Sequence, residues 1–158
     1  MNNYHPGTMT TSQSNTNIGP TPLQGGVREI APGLYQAAWT DASTWTGGSV
    51  DVLVYMAGDA QVNPNIPQIS FPIDDNAEGC DRFADVQTLA KSLASKQVLT
   101  VCQIGENRSG LLSALILVAR GWDPISAVTT VQYHGPHHSA TQPHSFWNPG
   151  FVRQVCGW

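Results

Sequence analysis

Charge is what this sequence has least of. Only 11% of its 158 residues are Asp, Glu, Lys or Arg, and just seven of those are basic, where a quarter would be usual. Seven cations spread along the chain form no basic run, so neither a nucleic-acid partner nor an anionic membrane footprint is expected. Cysteine is scarce too. Three of them, an odd number without framework spacing, argue for a reducing, cytoplasmic compartment. The N-terminus, "MNNYHPGTMTTSQSNTN", lacks the basic-then-apolar order of a secretory signal. The longest apolar stretch, "LLSALILVA", is too short to span a bilayer. No internal repeat is visible.

What is present fits one domain. Hydrophobic residues make up 41% of the chain and the net charge is -4, a composition that supports a buried core. Residues 1–24 are rich in Asn, Thr, Ser, Gln, Pro and Gly. They have too little apolar surface to offset their ordering entropy, so they are expected to be a flexible tail, with residues 25–158 forming the domain. A homo-oligomer or an assembly partner would be needed to order that tail.

From Val27 the pattern becomes structural. "VREIAPGLYQAAW" predicts two short strands about a Pro32-Gly33 turn, "SVDVLVYMA" a buried strand, and "QISFPI" a short strand ending at Pro72. "DRFADVQTLAKSLASK" carries Phe83, Val86, Leu89, Ala90 and Leu93 at helical spacing, with Asp81 placed to cap. "QVLTV" is a further buried strand. "SGLLSALILVARG" is apolar nearly all round, which predicts a buried helix closed by Gly121. Asp123-Pro124 opens another helix, and "NPGFVRQVCG" a last short one. Strands alternating with helices predict an α/β fold with a central, largely parallel sheet flanked by helices.

The stretch "VCQIGENRSG" lies where a predicted strand meets the buried helix. Ligands of open α/β sheets sit at such junctions. A turn over residues 103–108 would aim backbone N–H groups inward, and the helix N-terminus adds partial positive charge. Gly105 permits a backbone conformation other residues resist, and Gly110 allows close helix packing. Such a cradle suits a tetrahedral dianion, and the Arg108 fork can hold two of its oxygens. The same field favours the thiolate, the nucleophilic form of a cysteine.

Cys102-x5-Arg108-Ser109-Gly110 resembles the active-site signature of the cysteine-dependent protein tyrosine phosphatases, and in particular their compact dual-specificity group. The resemblance runs from about Val27 to Val155. "VREIAPGLYQAAWTDAS" is similar to that group's opening strand pair, "FPIDDN" to its acid loop, and "WNPGFVRQV", with Asn148 and Phe151, to its closing helix. It implies a single-domain dual-specificity phosphatase-like fold and hydrolysis of phosphomonoesters through a phosphocysteine, with no metal and no cofactor. Carried over residue by residue, Cys102 is the nucleophile, Arg108 holds the equatorial oxygens, Asp75 protonates the leaving oxygen, and Ser109 eases breakdown of the intermediate. The phosphate-binding set is Gln103, Ile104, Gly105, Glu106, Asn107 and Arg108. The substrate implied is a phosphorylated protein or a small phosphomonoester.

Three positions bear on the resemblance. Val101 stands where a histidine usually precedes the nucleophile and orients the loop. Glu106 puts a carboxylate in the cradle, and because it would repel bound phosphate it is expected to point to solvent. The arginine that usually helps bind substrate after the signature is missing before Arg153, and His134 is the expected substitute. His134, His137, His138 and His144 do not have zinc-site spacing, so a polar loop at the rim is the preferred reading. Cys80 reads as a loop thiol in preference to a disulfide partner of Cys102, and Cys156 as part of the core of the last helix.

Two other functions share the signature: a phosphate-binding pseudophosphatase serving as an assembly module, and an RNA 5′-phosphatase. The scarcity of Lys and Arg counts against the RNA enzyme. A sulfurtransferase also uses a cradled cysteine, but Asp75 and Arg108-Ser109 favour phosphate chemistry. A divalent-metal chelator should leave aryl phosphate hydrolysis unchanged; loss of most turnover on its addition would reinstate the histidines as metal ligands.

Overall fold

The computed structural model describes residues 18–158. Its strands are β1 (Arg28–Ala31), β2 (Leu34–Ala38), β3 (Val52–Tyr55), β4 (Gln68–Ser70) and β5 (Val98–Cys102). They form one five-stranded sheet in the order β1-β2-β5-β3-β4. β1 and β2 are antiparallel across the expected Pro32-Gly33 turn, whereas β2 with β5, β5 with β3, and β3 with β4 are parallel. The sheet is therefore mixed and largely parallel, as the alternation of elements implied.

The helices are α1 (Trp39–Ser43), α2 (Phe83–Leu93), α3 (Arg108–Ala119), α4 (Pro124–His134) and α5 (Pro149–Cys156). Four follow the sequence pattern. α1 does not: it is a single short turn that continues straight from β2, too brief to show periodicity. Asp81 is not a cap, because the N-cap position of α2 is Arg82, without a side-chain hydrogen bond. Asp123 does cap α4, accepting from Ile125 N and Ser126 N, and Asn148 caps α5, accepting from Phe151 N. Both helices begin with proline, whose fixed φ suits the first turn.

Alternation along β5 decides what faces what. Val98 and Cys102 join the larger core, built with α2, α3, α4 and α5. Leu99 and Val101 join a smaller core on the opposite face with Ala37, Ala42, Leu53, Tyr55 and Val62. Between them, Thr100 Oγ1 lies 2.7 Å from Ser113 Oγ of α3. All four long helices thus cover one face, while α1 and the loop after it cover the other. α3 is the central helix, buried from Ser109 to Leu117, which explains its all-round apolar sequence. No helix among the described residues is long and apolar enough to cross a membrane.

The tail expected over residues 1–24 lies outside the described residues up to residue 17. In the part that is described, Thr21 N–H donates to Pro143 O at 2.6 Å, and Gln24 and His137 exchange backbone hydrogen bonds at 2.9 and 2.8 Å.

Val101 is fully buried among apolar neighbours. Val101→His should therefore destabilise the domain by roughly 2–4 kcal/mol, the penalty for an unpartnered polar ring in that space. Chemical denaturation would measure it, and an unchanged midpoint would mean this face is not packed as described.

Candidate active site

β5 ends at Cys102 and α3 begins at Arg108, so the residues between them must reverse direction within five positions. Gly105 makes this possible. Its φ is +77°, and a Cβ there would lie 2.5 Å from Ala38 N and 2.6 Å from Ala37 C, so a side chain is excluded by both backbone angle and space. The carbonyls of the loop are tied outward. Gln103 O accepts from Trp39 N at 3.2 Å, Gly105 O from the Gln36 amide at 2.8 Å, and Asn107 O from Leu111 N at 2.8 Å. In a trans peptide the N–H points opposite to the C=O, so the amides of Ile104, Glu106 and Arg108 point away from those partners.

Cys102, the expected nucleophile, is the last residue of β5. It is buried, and its Sγ lies 3.2 Å from Ser109 Oγ in the first turn of α3. The Arg108 Nε is buried and has no hydrogen-bond partner among the described residues, while Nη1 makes only a 3.5 Å contact with Ile73 O. A guanidinium at the edge of a cleft with a buried, unused donor suits an oxyanion ligand. Gly110 packs against Phe146, leaving no room for a Cβ, so the start of α3 is fixed. Val101, one residue before the thiol, points into the opposite core; a side chain there cannot reach the nucleophile directly.

The loop expected to carry the acid follows β4. Asp75 Oδ1 accepts from Asn148 Nδ2 at 2.7 Å, and Oδ2 from Asn107 Nδ2 at 3.2 Å. The Asn107 Oδ1 in turn accepts from Asn148 N at 2.9 Å. Asp75 is thus joined to the cradle loop and to the cap of α5, whereas Asp74 lines a cleft of about 260 Å³ that opens beside Arg108. Pro72, Cys80 and Arg82 line the same cleft. Arg82 lies 4.0 Å above the Phe71 ring and is the second cation next to Arg108.

Glu106 does not point to solvent. Its carboxylate is fully buried. Oε2 accepts from His138 N at 2.5 Å and Ser139 N at 2.9 Å, and Oε1 from Ser139 Oγ at 2.7 Å and Trp147 Nε1 at 2.8 Å. Four hydrogen bonds from residues 138–147 take the place of the water expected around it.

The histidines have separate roles. His134 packs its ring on Tyr133 and its carbonyl accepts from Arg28; neither residue belongs to the cradle, and Arg82 is the cation nearer to it. His137 is buried among the carbonyls of Thr21, Pro22, Ser139 and Gln142. His144 is buried with Nδ1 at 2.8 Å from Ser145 O, and burial pushes its pKa down. No group of three or more potential metal ligands occurs among the described residues. All three cysteines are free. Burial pushes the Cys80 thiol up, and Cys156 is pushed up to about 11, so neither of these two ionises readily near neutral pH.

Sequence reasoning missed Gln36, which holds the loop through Gly105 O. The available signal was a single amide inside the otherwise apolar "LYQAA". It also missed the Asn107 side chain as the link between cradle and acid loop, for which the sequence carried no signal.

Neither protein-family models nor curated proteins match the chain. Solved structures do. Human DUSP28 superposes with a TM-score of 0.61 at 19% identity, covering 87% of this chain and 93% of that one. The OH1 tyrosine phosphatase of Orf virus gives 0.64 at 18%, covering 94% and 95%. The human tyrosine phosphatase-like serine/threonine/tyrosine-interacting protein gives 0.57 at 19%, covering 84% and 94%. The chain has the fold of the dual-specificity phosphatases.

The two aspartates can be separated by leaving group. A general acid contributes about 10²–10⁴ in rate when the leaving oxygen needs a proton, and less for a stable phenolate. Asp75→Asn should lower phosphotyrosine hydrolysis by that range and nitrophenyl phosphate hydrolysis by less. Asp74→Asn should act weakly and equally on both. Exchanged behaviour would make Asp74 the acid.

Proposed function

We propose that the chain is a protein tyrosine or dual-specificity type phosphatase that hydrolyses phosphomonoesters through a phosphocysteine, in the cytoplasm and without a metal. The observation that carries this reading is the coincidence, at the start of α3, of the buried Cys102 thiol beside Ser109 and a buried Arg108 Nε with no partner among the described residues. Together they suit a dianionic tetrahedral group and nothing apolar. A phosphorylated protein or a small phosphomonoester is the substrate.

In this mechanism the Cys102 thiolate attacks phosphorus. The S–P bond forms as the ester P–O bond breaks, and Asp75 gives its proton to the departing oxygen. Water then attacks the phosphocysteine and Asp75 takes the proton from that water. The P–S bond breaks, and Ser109 Oγ–H, within 3.2 Å of the sulfur, donates a hydrogen bond to the returning thiolate. The loop amides and Arg108 are fixed before substrate arrives, so the developing charge on the equatorial oxygens meets preorganised donors.

One observation favours a second reading, phosphate binding without turnover. Both Asp75 oxygens already accept from the side-chain amides of Asn107 and Asn148, so the carboxyl is engaged by the protein where a proton donor would have to face the leaving oxygen. Turnover of an aryl phosphate discriminates the two. Under the phosphatase reading, Cys102→Ser abolishes hydrolysis yet keeps inorganic phosphate binding. Arg108→Lys loses about 10²-fold in kcat/KM, since an ammonium cannot reproduce the fork. Full activity in the serine variant would end the covalent mechanism, and binding without any turnover in the parent would establish the second reading.

A further inference from the structure

Glu106 is the one ionisable group of the cradle loop that the proposed chemistry does not use. We propose that it is a positioning residue: it docks residues 138–147 onto the outer side of the cradle, and the affinity of the cradle for a phosphoryl group depends on that dock. The inference rests on the phosphatase reading above.

The carboxylate is fully buried, and among the described residues no basic group pairs with it; the sole ion pair there is Arg82 with Asp85. Its charge is compensated by four hydrogen bonds alone, at 2.5–2.9 Å, all donated by His138, Ser139 and Trp147. A buried carboxylate stripped of such partners costs several kcal/mol. If the segment undocks, Glu106 must therefore be taken up by water, and the loop loses the partners that hold its outer side. Glu106 is bonded directly to Asn107, which binds both Asn148 and Asp75, so a loss of order at 106 is passed to the residue before Arg108.

Two further features show that the segment is held under constraint. Phe146 has φ +48°, a conformation that a bulky residue keeps only when its surroundings fix it, and its ring packs on Gly110 of α3. That turn lies directly before Trp147, which donates to Glu106. At the other end, His137 is bound by Thr21 and Gln24, so residues 21–24 strap the segment down on the side away from the cradle. Asn107, next in the loop, binds Asn148 N. Consecutive cradle residues thus hold both ends of the stretch 138–148.

Two variants of the full chain test the dock. Glu106→Gln keeps the shape but sets an amide NH₂ against N–H donors. Trp147→Phe removes one donor from the opposite side and leaves the cradle sequence untouched. The readouts are KM and kcat on nitrophenyl phosphate, competition by inorganic phosphate, and amide hydrogen exchange at His138 and Ser139. Glu106→Gln should raise KM and the phosphate inhibition constant about tenfold, with a smaller fall in kcat, as for loss of one hydrogen bond to a charged group. Exchange at His138 and Ser139 should accelerate together with these changes. Trp147→Phe should move all of them the same way by about threefold, and it decides alone if the glutamine variant does not fold. Faster exchange with phosphate affinity and KM within twofold of the parent would make the dock merely structural and overturn the proposal. A parent that cleaves and binds, with both variants indistinguishable from it in every readout, would overturn the positioning role alone. A parent that neither cleaves nor binds phosphate would overturn the phosphatase reading and this role with it.

Discussion

A loop that turns sharply between a strand and a buried helix must find partners for the polar groups it carries. The stretch from Gln103 to Asn107 does so for most of them. Three of its carbonyls bind Trp39, Gln36 and Leu111, and two of its three polar side chains, Glu106 and Asn107, bind the segment before α5 and Asp75. Unpaired buried polar groups cost about 1–3 kcal/mol each, so this network offsets the cost of burying the loop. The register of β2 with β5, Ala38 beside Cys102, follows from the same demand. It sets Ala37 and Ala38 where Gly105 can press on them and Gln36 where it can reach the loop.

The low charge of the chain has a counterpart in the site. Glu106 is neutralised by hydrogen bonds and not by an ion pair, and Asp75 is held by two asparagine amides. Amides hold geometry without adding positive charge, so Arg108 and the backbone dipoles remain the dominant positive features of the cradle. Where a second cation does stand nearby, at Arg82, an aromatic ring and a carbonyl fix it. Its partner Asp85 is exposed and contributes little.

The segment from His137 to Asn148 links parts that are remote in sequence. It meets residues 21–24 on one side and the cradle on the other, and ends as the cap of α5. Through Asn148 it also reaches Asp75. Acid loop, cradle and closing helix therefore share a chain of hydrogen bonds, each polar partner satisfied by another loop in place of solvent.

Much of this was decided by sequence alone. Helical spacing in "FADVQTLAKSL", the all-round apolar run of α3 and the proline-led starts of α4 and α5 are local signals, and local backbone preference with burial is enough to produce those elements. The apolar run before Cys102 and the one after Ser109 likewise placed a short loop between strand and helix. Tertiary structure decided what depends on partners far along the chain. Glu106 reads as a solvated carboxylate in sequence, because nothing near position 106 announces donors at 138, 139 and 147. His134 reads as a rim residue until α4 sets it beside Tyr133 and Arg28. Asp75 is set apart from Asp74 in sequence only by a resemblance; that Asn107 and Asn148 hold it is visible only in the fold. A side chain's neighbours within a few residues are written into the sequence; which distant group removes it from water is settled only when the sheet order brings the loops together.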